Sequence, residues 1–209
     1  MASLVIHIAI ASEINKEIKH DYDKLLLGSV APDISKELEQ SKFYSHFLDG
    51  SDDNIPNIDK FLTKYQNNLN DDFVLGYFIH LYTDYLWFKY FIPEIYQKDV
   101  IKKIDGTSIK CVGRMVDTYI YNDYTNLNSE LLDYYKINLD VFYKELPQIE
   151  NIIEEIPIDK IKVTIDKALM IITKSREHKN YIFDTENIKT FITTSTELII
   201  AKLKELNKI

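Results

Sequence analysis

Cysteine is nearly missing from these 209 residues: Cys111 is the only one, which excludes an internal disulfide and any thiolate metal cluster. A bound metal would therefore have to use nitrogen and oxygen donors. Five glycines and five prolines provide too few breaks for the many tight turns of an all-β fold, so long helices fit better. Basic charge is also in deficit. The 25 basic against 33 acidic side chains leave a net charge of −8, and no global field draws the chain to nucleic acid or to an anionic membrane. No stretch reaches the roughly 18 uninterrupted apolar residues that a membrane-spanning helix needs. A glycine-rich phosphate loop, a G-x-S-x-G elbow and a paired-cysteine motif are all lacking. Cys111, in "IKCVG", has no neighbouring histidine and reads as structural rather than nucleophilic.

What is present describes a soluble globular chain, 45% apolar and 28% charged, of a length that suits one domain over residues 1–209. The opening "MASLVIHIAIASEINK" has an apolar run from Leu4 to Ala11, but no basic residue precedes it and His7 interrupts it. It reads as helix rather than signal peptide, and a cytoplasmic location is expected. Leu4, Ile8, Ala11, Ile14 and Ile18 keep helical spacing, and Gly28 after "LLL" is placed as a helix stop. In "SVAPD" Pro32 biases Ala31 towards extended backbone ahead of Asp33. "KFYSHFL" is a short helical segment carrying His46, and Asn57 caps a helix in which Ile58, Phe61, Leu62 and Tyr65 share one face.

Asp71 or Asp72 opens a helix that runs to Ile92, with Pro93 ending it. "KKIDGTSIKCVG" is a loop or a short hairpin, and "RMVDTYIYNDYTNLNSELLDYY" is helical. Pro147 and Pro157 bracket a short acidic helix, Ile158 to Ile172 forms another, and Asp184 caps the last. There Ile188, Phe191, Ile192, Ser195, Leu198, Ile199, Lys202, Leu203 and Leu206 trace a mostly apolar stripe. The expected class is all-α, a multi-helix bundle in which residues 1–92 carry the chemistry and 93–209 pack and shape the pocket.

The stretch "FVLGYFIHLYTDYLW" places His80 and Asp84 four residues apart on one face of a helix that is apolar all round. An ionised carboxylate in such surroundings costs several kcal/mol unless a cation or hydrogen-bond donors face it. His7 sits within another apolar helix, Asp33 follows the "APD" turn, and His46 is flanked by aromatics in "FYSHF". Imidazoles and carboxylates converging from separate segments form the donor set of zinc or a similar divalent ion. His20 and His178 have polar neighbours and read as exposed.

The order of "IHIAIA" with His7, "LLGSVAPDI" with Asp33, "SHF" with His46 and "GYFIHLYTDYLW" with His80 and Asp84 resembles the zinc-dependent phospholipase C family, over about the first 92 residues. That family is all-helical and shares its architecture with single-strand nucleases. The resemblance implies that Asp33, His46, His80 and Asp84 hold one metal and that His7 holds a second, with Asp84 bridging them. It further implies one or two zinc ions, or other divalent metals, and a metal-bridging hydroxide that attacks phosphorus in a small or lipid-derived phosphoester. Asp33 would then serve as catalytic proton acceptor. The family's third site needs later histidines, and beyond Asp84 this chain has only His178. Asp123 is a possible additional ligand, although a helix-surface carboxylate is the preferred reading there.

Two other function classes stay open at this stage. One is a non-catalytic helical protein in which a single ion only ties segments together, because structural sites close every position with protein ligands. The other is a nuclease on the same fold, against which stand the net acidity and the presence of only two arginines, Arg114 and Arg176.

Overall fold

The computed structural model describes residues 2–39, 41–50, 54–111, 115–173 and 180–209. His178, Arg114 and Arg176 lie outside the described residues. Helix α1 (Leu4–Ile18) begins where the Ser3 hydroxyl accepts from the Ile6 N–H, and every residue from Leu4 to Ser12 is buried. Helix α2 (Tyr22–Val30) is capped by Asp21 and leads through a 3₁₀ turn, Ala31–Asp33, into the short helices α3 (Ile34–Glu37) and α4 (Lys42–Ser45). Helix α5 (Ile58–Tyr65) has the expected Asn57 cap and buries Ile58, Phe61, Leu62 and Tyr65. Helix α6 (Asp72–Leu86) is capped by Asp71, whose side chain accepts from the Val74 N–H, and is buried on nearly every face. A helix apolar on all sides belongs inside a protein. Accordingly α1 and α6 pack together at the centre, with α2 and the later helices α8 (Met115–Tyr135), α9 (Ile161–Ile172) and α10 (Thr185–Glu205) around α1. One cluster of buried residues runs from Ala2 to Leu203.

Gly28 does not end a helix. It lies within α2, where a Cβ would come 2.1 Å from the Phe73 carbonyl oxygen of α6, and a Cβ on Gly76 would come equally close to the Leu25 carbonyl oxygen. The pair lets two backbones touch, which is why the sequence reading of a stop fails. The "APD" segment is likewise not extended: Ala31 has φ −60° and ψ −38°, and its bias towards extended backbone is overridden by the turn that joins α2 to α3.

The all-α expectation holds for most of the chain but is corrected after α6. That helix continues through a π turn, Trp87–Phe91, into α7 (Ile92–Ile95), so Pro93 sits in the first turn of a helix, where its missing N–H is harmless, instead of ending one. A three-stranded antiparallel sheet follows: β1 (Tyr96–Gln97), β2 (Val100–Lys102) and β3 (Ser108–Lys110), with Ile101 paired to both Tyr96 and Ile109. The tight turn at Lys98 and Asp99 uses left-handed backbone at both (φ 49° and 61°) without a glycine to announce it. Between Pro147 and Pro157 the chain is irregular rather than helical, since Lys64 and Tyr65 hold it through Glu154 and Glu155 side chains and the Glu154 N–H. The final helix has its Asp184 cap, reinforced by Asn187 reaching back, although Leu198 of the expected stripe is exposed.

Candidate metal centre

The five residues singled out as donors arrive from four segments and meet at the α1–α6 contact. His7 comes from α1, His80 and Asp84 from α6, Asp33 from the 3₁₀ turn after α2, and His46 from the end of α4. His7, His46, His80 and Asp84 are at most 1% exposed. Asp33 keeps 14% of its side chain open. His7 Nε2 lies 3.4 Å from Asp84 Oδ1, while Asp84 Oδ2 faces His80 Nε2 at 3.8 Å and His46 Nε2 at 3.9 Å. Asp33 Oδ1 lies 3.7 Å from His46 Nε2. The two oxygens of Asp84 thus point to different halves of the cluster, one towards His7 and one towards His46 and His80.

Orientation of the rings is set by groups outside the cluster. The final carbonyls of a helix lack intrahelical partners, and Ser29 near the end of α2 offers one. His80 Nδ1 donates to that oxygen at 2.8 Å, leaving Nε2 as a bare lone pair. His46 Nδ1 lies 2.9 Å from Ser45 Oγ, and Ser45 in turn donates to Ser35 Oγ, so the imidazole supplies the hydrogen and its Nε2 is bare as well. After His46 the chain turns through left-handed backbone at Phe47 (φ 53°), which fixes where α4 presents the ring. His7 stacks on His80 with ring centroids 3.8 Å apart. The Ala2 nitrogen donates to Asp84 Oδ1 at 2.9 Å.

The consequence is a set of lone pairs aimed at one another. His46 Nε2 and His80 Nε2 are 3.4 Å apart, and neither has a proton to share. Asp33 Oδ1, Asp84 Oδ2 and both nitrogens of His7 are buried with no hydrogen-bond partner among the described residues. Buried polar atoms are seldom left so, and a bound cation is one remedy. Two atoms each about 2.1 Å from one tetrahedral ion lie about 3.4 Å apart, close to the separations here. Two overlapping trios have their donor atoms within 4.8 Å of each other, His7–His80–Asp84 and Asp33–His46–His80. The residues therefore fit a divalent cation; the donor set alone does not single out zinc.

Electrostatics keeps the site ready for a cation. Burial is the largest influence on Asp84 and opposes its charge, yet His7 and His80 hold the carboxyl far below its usual range. Asp33 is also held well below, against burial, by Lys36 and His46. His80 is pushed down to about 3, chiefly by burial and by His7, so its imidazole is neutral. Lys36 Nζ stands 3.3 Å from Asp33 Oδ1. Burial lowers Lys36, but Asp33 and Tyr121 outweigh it, and the ammonium persists.

Asp123 does not join the cluster and is not a surface carboxylate. It is fully buried in α8, where it accepts from the N–H groups of Tyr181, Ile182 and Phe183 and so holds the approach to α10. His20 is half-buried against Asp72 and stands apart from the cluster. Sequence reading missed Ser29, Ser35 and Ser45, whose roles depend on neighbours far along the chain. Lys36 was findable, since a lysine three residues after Asp33 on a helical path shares its face. No described helix is long and apolar enough to cross a membrane. Neither a family model, nor a curated protein, nor a solved structure matches the chain significantly.

Proposed function

We propose that this chain is a divalent-metal-dependent hydrolase of phosphoric esters, phospholipase C-like in its reaction, with Asp33, His46, His80 and Asp84 around one ion and His7 across Asp84 at a second. The observation that carries this reading is the convergence of bare imidazole nitrogens and buried carboxylate oxygens, with Asp84 Oδ2 lacking any hydrogen-bond partner among the described residues. When bound, a divalent ion supplies polarisation of a phosphoryl oxygen and acidifies water. The chain supplies the rest. Ser29 and Ser45 hold His80 and His46 in the ligating tautomer, and Asp33, the one member reaching solvent, stands where a water would enter. Because Lys36 and His46 keep Asp33 ionised, it orients that water by accepting a hydrogen bond and is a poor store for the proton.

A second reading, a purely structural ion, is favoured by the near-complete burial of four of the five donors. The cavity that opens beside Asp33 favours catalysis instead. Metal analysis of the purified protein, with hydrolysis of a generic aryl phosphodiester by wild type and His7→Ala, separates the two. The hydrolase reading expects bound metal, metal-stimulated cleavage, and a His7→Ala variant that keeps its circular dichroism but loses activity. Metal-free purified protein, or cleavage that ignores added metal, overturns it.

A further inference from the structure

Beside the donor cluster lies a cavity of about 240 Å³ between the start of α1, the Asp33 turn, α3, α8 and α9. Its wall carries Asp33, Lys36, Tyr121, Thr164 and Lys167, with Leu4, Ala168 and Ile171 as the apolar remainder. Two features point to an oxyanion. Lys36, paired with Asp33, and Lys167, from a different helix, both line one small space in a chain that is acidic overall. Thr164, 2% exposed, lines the same cavity, and its Oγ1 has no hydrogen-bond partner among the described residues. A buried hydroxyl without a partner is costly, so a ligand that reached past the cavity wall to Thr164 would supply the missing hydrogen bond.

We propose that this cavity is the specificity subsite of the metal centre and takes a phosphoryl group of the substrate, held by Lys36, Lys167 and the Thr164 hydroxyl. The inference rests on the hydrolase reading for its link to turnover, but its anion-binding part does not. The volume falls below the roughly 300–1,000 Å³ of pockets that enclose drug-sized ligands, so the substrate is a compact, multiply charged phosphoric ester. A long acyl chain or a nucleic-acid strand has no place in it.

Calorimetric titration of the purified protein with inorganic phosphate at low salt tests the assignment, with metal content measured alongside. Lys167 is exposed and can be changed without disturbing the core. Lys167→Ala and Thr164→Val are each expected to weaken phosphate about tenfold, the effect of losing one charge-assisted hydrogen bond. Thr164→Ser restores it, Lys167→Glu abolishes it, and metal content stays constant. Equal phosphate affinity in wild type and both variants, no phosphate binding at all, or equal affinity for acetate overturns the proposal. Failure of the hydrolase reading would look different: phosphate binding intact and sensitive to Lys167, without metal-stimulated cleavage.

Discussion

Two buried carboxylates in this chain meet the same demand by opposite means. Asp123 is surrounded by backbone N–H donors and needs nothing further. Asp84 has the Ala2 nitrogen at one oxygen and only bare ring nitrogens near the other. The sequence could not tell them apart, because a hydrogen-bond donor from residue 181 is invisible at residue 123. His80 carries the pH dependence that follows. In the unfolded chain its imidazole protonates near 6.5, whereas in the folded, chelator-treated protein it stays neutral down to about 3. Between those values the unfolded state binds more protons, so folding stability is complete above the upper value and declines as pH falls through the window. Asp84, depressed below its ordinary carboxyl value, loses its contribution in the same direction at still lower pH. Thermal melts of metal-free protein at stepped pH should therefore show a midpoint falling through that window. A His80→Gln variant, which cannot titrate, should show a smaller slope; an equal slope would place the effect elsewhere.

Between elements, the crossing of α2 and α6 matters most for the site. Gly28 and Gly76 bring the two backbones into contact, and that contact places the Ser29 carbonyl on His80 Nδ1. Gly28→Ala puts a methyl where the Phe73 oxygen already lies, and the helices must separate. We expect destabilisation of about 2–3 kcal/mol, the usual scale for overpacking, read as a lower urea midpoint. Metal affinity should fall about tenfold with it, as for loss of a partner that orients a ligating histidine. Unchanged affinity in a destabilised variant would mean that the Ser29 contact is dispensable. Helix starts were readable from local chemistry, since an Asn or Asp side chain caps N–H groups two or three residues away: Asn57, Asp71 and Asp184 all do so. The π turn at Trp87 was not readable. There Trp87 stacks on Phe91 and meets Phe183 and Phe191 from the other end of the chain, a cluster that rewards the extra residue in the turn.

For the whole molecule, the cluster brings α1, α6 and the Asp33 and His46 segments to a common point, so on the proposed metal reading ion binding and folding are linked. An ion that binds only the folded state at a free concentration about 1,000 times its dissociation constant stabilises by about 4 kcal/mol. For a chain of this size each kcal/mol moves the midpoint by roughly 2–4 °C. Zinc added to chelator-stripped protein should therefore raise Tm by about 10 °C, and Asp84→Asn should remove most of that rise while magnesium, which favours oxygen donors, should give little. A melting curve indifferent to zinc would remove the metal from the account.

By itself the sequence determined the helical character, most helix starts and the five residues that converge on the candidate site. Those depend on periodicity, caps and the cost of polar groups in apolar stretches, all of which act within a few residues. The tertiary structure alone decided the rest: that Gly28 closes a helix crossing, that Asp123 is satisfied by distant backbone, and that lysines from α3 and α9 share a cavity beside Asp33. Such pairings join residues far apart in the chain, and no local pattern records which partner a side chain will meet once the core has closed.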